Sequence, residues 1–165
     1  EFEFIELFNI SNVPVTLSRL DFTAGVGFSF SNQTVVCPPD RCVVLVKNPT
    51  AFASRYDTND MLIAGPYVGS LANSGERITL MDTLFGPVLS FSYTDTWYPV
   101  TDGGGPSLEI VDPYASVAEW DNSNAWRVGE TPFGSPGTYI VPEPVILAWL
   151  LPGVLTVLRG MRRHF

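Results

Sequence analysis

Histidine and lysine each occur once in 165 residues, and cysteine twice. The histidine, His164, stands in the C-terminal tail, so no Ser-His, Cys-His or His-metal arrangement is expected in the rest of the chain. Two sulfurs without histidine or further cysteine nearby make half a zinc shell, and no metal centre is expected. Basic side chains are few. Residues 1–140 hold sixteen acidic against six basic ones, a balance near −10, while the tail is near +2. A body of that sign repels phosphate backbones, which argues against nucleic acid as a partner. Gly103-Gly104-Gly105 lacks the Lys-Ser/Thr of a phosphate loop and opens onto a strand, so it reads as a turn.

What is abundant is Phe, Val, Leu and Ile, broken every few residues by one of 14 glycines or 14 prolines. That pattern predicts many short strands joined by tight turns, an all-β fold in a body of one domain. Phe2, Phe4, Ile5, Leu7 and Phe8 put apolar residues on both faces of a strand. Val13/Val15/Leu17, Leu20/Phe22, Phe28/Phe30, Ile78/Leu80, Leu89/Phe91/Tyr93 and Leu108/Ile110 alternate with other residues. Asn48 as N-cap and Pro49 at the first helical position predict one helix near 49–56, presenting Phe52 and Tyr56 inward. Two layers of antiparallel sheet, roughly seven to nine strands, is the economical architecture.

The apolar runs Thr34 to Cys37 and Cys42 to Lys47, separated by Pro38-Pro39-Asp40-Arg41, read as a hairpin. On facing strands Cys37 and Cys42 would reach the Cα separation of about 4.4–6.8 Å that a disulfide needs, and an oxidising compartment would allow it. The alternative is two small buried hydrophobes. Acid–base catalysis has little to work with. Asp102 with Glu109 and Asp112 with Asp121 are carboxylate pairs in turns and strand ends, where solvated acids are common, and no enzyme is expected. No cofactor is expected either. Calcium is the one ion for which oxygen ligands gather, around Asp112 and Asp121, although Asp and Asn are also ordinary turn formers. Trp97, Trp120 and Trp126 read as core plugs, with a glycan or protein platform as the alternative.

The chain ends in Val141-Pro142-Glu143-Pro144, an uncharged run from Val145 to Leu158, and Arg159-Gly160-Met161-Arg162-Arg163-His164-Phe165. Fourteen residues of helix cover only about 21 Å of a ~30 Å hydrocarbon core, so the run is short for a lasting span. Arg159, Arg162 and Arg163 form a membrane stop that holds that end on the cytoplasmic side. Polar motif, apolar run and basic stop, in that order, resemble the PEP-CTERM sorting signal of bacterial envelope proteins, with Pro142, Glu143 and Pro144 at the motif. The resemblance implies transient recognition and removal by an exosortase, a membrane-embedded cysteine transpeptidase. It also implies export, and with it a signal sequence upstream of Glu1.

The body resembles the lamin-tail domain of bacteria. The segments that carry the resemblance are Glu3-Phe4-Ile5-Glu6-Leu7-Phe8-Asn9, Gly69 to Glu76, Asp102 to Glu109, Asp121 to Arg127, and Thr131-Pro132 with Gly134-Ser135-Pro136-Gly137. It implies an immunoglobulin-like β-sandwich over residues 1–137, lacking the strand that would precede Glu3 and so a fragment of a longer chain. Nuclear relatives follow a coiled-coil rod, but this chain has neither heptads nor a prenylation box. After the body come a linker over 138–144, a hydrophobic transmembrane-type helix over 145–158 and a basic cytoplasmic tail over 159–165. Two functions are expected of such a chain. One is a noncatalytic interaction or structural module, delivered to the cell envelope or extracellular matrix and meeting an envelope protein or glycan there. The other is the accessory domain of a larger secreted hydrolase of nuclease or phosphoesterase type. The full reading frame separates them.

Overall fold

The computed structural model of the chain describes residues 1–103, 105–138 and 159–161. Among them are twelve strand segments, seven of which are only two or three residues long, and one short helix. The fold is all-β, as the composition predicts. In chain order the strands are β1 Phe4–Phe8, β2 Val15–Thr16, β3 Leu20–Ala24, β4 Phe28–Ser29, β5 Val36–Cys37, β6 Cys42–Val46, β7 Leu62–Ala64, β8 Glu76–Asp82, β9 Gly86–Tyr93, β10 Leu108–Ile110, β11 Trp126–Val128 and β12 Arg159–Met161. The helix, α1, spans Pro49–Arg55 between β6 and β7. The predicted C-terminal hydrophobic helix over 145–158 lies outside the described residues.

Strands β1, β6 and β7 form one sheet in that order; β4-β3-β8-β9 form a second. Strands β11, β10 and β12 form a third, and β2 pairs with β5. The apolar alternation decides where each side chain goes. Ile5, Leu7, Val43 and Leu45 enter the main core with Phe22, Ile78, Leu80, Leu89 and Phe91. From the opposite face of the first sheet, Phe4, Val44 and Val46 meet Phe52 of α1 in a smaller cluster. Burying Phe52 completely, at 0 % exposure, is worth about 1.5–3 kcal/mol and fixes α1 on that face.

Helix α1 is built as its sequence dictates. Asn48 Oδ1 accepts from the Ala51 amide at 3.1 Å, and Pro49 starts the first turn, where its missing N–H costs nothing. Phe52 and Tyr56 stack with 4.5 Å between ring centroids. Two expectations need correction. Strand β6 runs parallel to β7, with Val43 opposite Leu62 and Leu45 opposite Ala64, so the architecture is not purely antiparallel. Parallel neighbours need a crossover, and α1 supplies it. The predicted hairpin across Pro38–Arg41 does not form either: β5 pairs with β2 and β6 with β1. Every residue of β6 is buried, so it takes a central position between β1 and β7.

Candidate functional site

Three carboxylates set among apolar residues, Glu3 just ahead of β1, Glu6 within it and Glu109 in β10, prove to be buried. Glu3 is 7 % exposed, Glu6 1 % and Glu109 2 %. A buried carboxylate is tolerated only with donors around it, and each has them. Glu3 Oε2 accepts from Tyr67 Oη at 3.1 Å, the Leu71 amide at 3.3 Å and Lys47 Nζ at 3.4 Å. Burial and the facing Glu3 carboxylate push the Tyr67 phenol far above its ordinary range, so it stays a donor. Glu6 Oε1 accepts from the Gly137 amide at 2.8 Å. Glu109 accepts from Ser107 Oγ at 3.2 Å and from Arg127 Nη2 at 3.4 Å. Gly129 packs so tightly on Ser107 and Glu109 that a Cβ there would collide with both side chains. These groups tie distant segments together.

Glu109 lies on β10, the strand that pairs with β12. The backbone of Arg159–Met161 runs antiparallel to β10, Leu108 opposite Met161 and Glu109 opposite Arg159, with a register shift between them. The Cα trace of β12 also comes within 8 Å of β1. Arg159, expected at a membrane stop, therefore occupies a sheet position here. Pro142, Glu143, Pro144, Arg162 and Arg163 lie outside the described residues.

The other candidates are accounted for locally. Cys37 and Cys42 are both buried, and the structure holds no bridge between them. The Cys37 Sγ–H donates to the Arg41 carbonyl at 3.1 Å, and burial pushes its thiol up to about 11. Asp112 Oδ1 accepts from the Tyr114 amide at 2.8 Å, and Asp121 Oδ1 from the Ser92 amide at 2.5 Å. They act as turn and strand caps, and no cluster of three or more His, Cys, Asp or Glu that could hold a metal occurs among the described residues. Trp120 and Trp126, at 0 % and 2 % exposure, are core plugs; Trp97 packs partly buried against the same cluster. Asp102 borders a depression of about 30 Å³ with Asn73, Tyr93 and Asp95. That is room for a water, about an order of magnitude below an ordinary small-molecule site.

One surface feature had only a weak sequence signal, the Gly86-Pro87 turn. The β8–β9 connection exposes Leu84 by 70 % and Phe85 by 79 %. Asp82 Oδ1 holds this tip by accepting from both their amides, at 2.8 and 3.2 Å, and its Oδ2 takes a 3.0 Å bond from Arg19. The Leu84 amide foremost, with Phe85 and Arg19, keeps the Asp82 carboxyl below the usual carboxylate range. The Arg19 guanidinium also stands 5.0 Å from the Phe85 ring centroid. Two large apolar side chains are thus presented outward on a capped turn. Compared with known proteins, the chain matches no family model, no curated protein and no solved structure.

Proposed function

We propose that this chain is a noncatalytic exported module, a lamin-tail-like immunoglobulin-like β-sandwich delivered to the bacterial envelope or extracellular matrix by a PEP-CTERM-like tail. An exosortase is its transient partner, and residues 145–158 meet the membrane until the tail is removed. The observation that carries this reading is the order of elements in the sequence: Pro142-Glu143-Pro144, fourteen uncharged residues, then three arginines within five positions. An uncharged run closed abruptly by arginines suits a bilayer with its basic end retained on the cytoplasmic side. The all-β body is compatible with it, since the buried carboxylates serve as internal ties and the exposed Leu84-Phe85 tip offers a contact for an envelope protein or glycan.

The experiment is to follow an epitope-tagged protein in cells that possess the sorting machinery. The intact chain is compared with one carrying Pro142→Ala, Glu143→Ala and Pro144→Ala. Processing to a smaller envelope or extracellular form is expected for the first and retention of the unprocessed form for the second. Identical size and location of the two would refute the sorting reading.

A further inference from the structure

Past β11 the chain crosses to α1 and is fastened along residues 131–138. The Phe133 amide donates to the Gly105 carbonyl at 3.1 Å, and Tyr56 Oη, at the end of α1, donates to the Phe133 carbonyl at 2.5 Å. The Arg55 guanidinium carbon stands 3.3 Å from the Phe2 ring centroid and 5.1 Å from that of Phe133, so one cation joins an early residue of the body to a late one. Further on, the Gly137 amide reaches Glu6 Oε1 at 2.8 Å, and Gly137 lies so close to Met61 that a Cβ there would collide with its side chain. Two features of this fastened state carry a cost that opening would relieve. Phe133 is held at φ +71°, in the left-handed region that a residue with a Cβ disfavours, and Arg55 Nη1 is buried with no hydrogen-bond partner. Phe133 itself is 47 % exposed, so little burial opposes release.

We propose that residues 131–138 are a releasable strap that gates access to the sorting motif at Pro142-Glu143-Pro144. The gate rests on the sorting reading; the strap does not. Its effect is one of reach. Extended chain spans at most ~3.6 Å per residue, so with Gly137 pinned to Glu6 the five residues up to Pro142 allow about 18 Å between body and motif. Gly129 is a fixed point further back along the chain, its amide bonded to the Ser107 carbonyl at 2.8 Å. With the strap open, the thirteen residues from there up to Pro142 allow about 47 Å. The shorter distance sets a folded body against anything that acts on the motif at the membrane. The longer one exceeds the ~30 Å diameter of a small domain, which leaves room for an enzyme between body and bilayer.

Strap and gate are tested separately with Tyr56→Phe and Phe133→Ala in one chain. The pair removes the hydroxyl donor and the ring that fasten the strap, keeps a Cβ at position 133 and leaves the motif untouched. In the purified full chain, hydrogen exchange of 131–138 is expected to quicken about 10-fold in the double variant, with β6 and β8 unchanged. In cells that possess the sorting machinery, pulse-labelled double variant is expected to shorten at least ~3-fold faster than the parent. Exchange that is unaltered in 131–138, or that rises as much in β6 and β8, overturns the strap. Shortening at the parent's rate, with the strap shown open by exchange, overturns the gate and leaves the sorting reading standing. Shortening of neither form refutes the sorting reading and the gate with it, and the exchange result still decides the strap. If the double variant fails to fold, Tyr56→Phe alone takes its place with the same two readouts.

Discussion

The indole Nε1–H of Trp126 donates to the main-chain oxygen of Trp120 at 2.7 Å, while the two rings meet edge-on with 5.9 Å between their centroids. Phe91 completes the group, 5.0 Å from the Trp126 ring and 5.6 Å from that of Trp120. The bond joins the turn after Val117–Glu119 to β11. The Trp120 indole nitrogen, by contrast, is buried with no hydrogen-bond partner.

That asymmetry predicts unequal costs for the same substitution. Trp126→Phe leaves a buried carbonyl without its donor and should cost about 1–3 kcal/mol beyond the loss of ring volume. Trp120→Phe removes an unsatisfied donor along with its volume, so it should be the milder change. Urea denaturation of both variants checks the order; a larger loss for Trp120→Phe would contradict it.

Gly75, just before β8, and Gly86, the first residue of β9, stand at φ +102° and +90°. Gly86→Ala meets no atom within 4 Å and should cost only the backbone strain, about 1–3 kcal/mol. Gly75→Ala bears similar strain and in addition drives a Cβ into the backbone of Tyr93 and Thr94. Its denaturation midpoint should fall well below that of Gly86→Ala. Equal midpoints would show that the collision is relieved elsewhere.

Cysteine reactivity follows from burial. With the Cys37 thiol at about 11 and both sulfurs in the core, native protein at pH 8 should react negligibly with a thiol reagent. Unfolding without reductant should release two titratable thiols. Recovery of none would mean that the chain carries the Cys37–Cys42 disulfide.

Asp82 gives a pH dependence of fixed sign. Its folded pKa is depressed below an unfolded value of about 3.9, so its contribution is present above that value and is lost as pH falls through the folded one. Asp82→Asn keeps an acceptor for the Leu84 and Phe85 amides but not the charge. The variant should melt below the parent at pH 7, and the difference should close as pH falls below about 4. A difference independent of pH would place the effect in packing.

Local chemistry made much of this fold legible. Asn48 and Pro49 mark the start of α1, and the alternation of Ile78/Leu80 with Leu89/Phe91 marks the β8–β9 hairpin because neighbouring strands there pair. The pairing of β5 and β6 was not readable from their four-residue separation. Spacing alone favours a hairpin, but five consecutive buried residues in β6 require cover on both faces and neighbours on both edges, which sends β5 to β2. Glu3, Glu6 and Glu109 hide for a related reason. Their donors, Tyr67, Gly137 and Arg127, lie 18 to 131 residues away, beyond the reach of any periodicity. Of the candidate site, the motif at Pro142–Pro144 is visible only as an order of residues. The seat of Arg159–Met161 is visible only in space, because three residues carry no strand pattern of their own.

The Glu3 cluster also has a mechanical meaning. Lys47, Tyr67 and Leu71 converge on a single carboxylate oxygen one residue ahead of β1, so tension applied at the N-terminal end reaches this knot before it reaches the β1–β6 ladder. The ladder would otherwise peel open one residue at a time from Phe4. With the knot in place, three links must yield together before the first ladder pair is loaded, and the domain resists pulling at its N-terminal end as a clamp rather than a zipper.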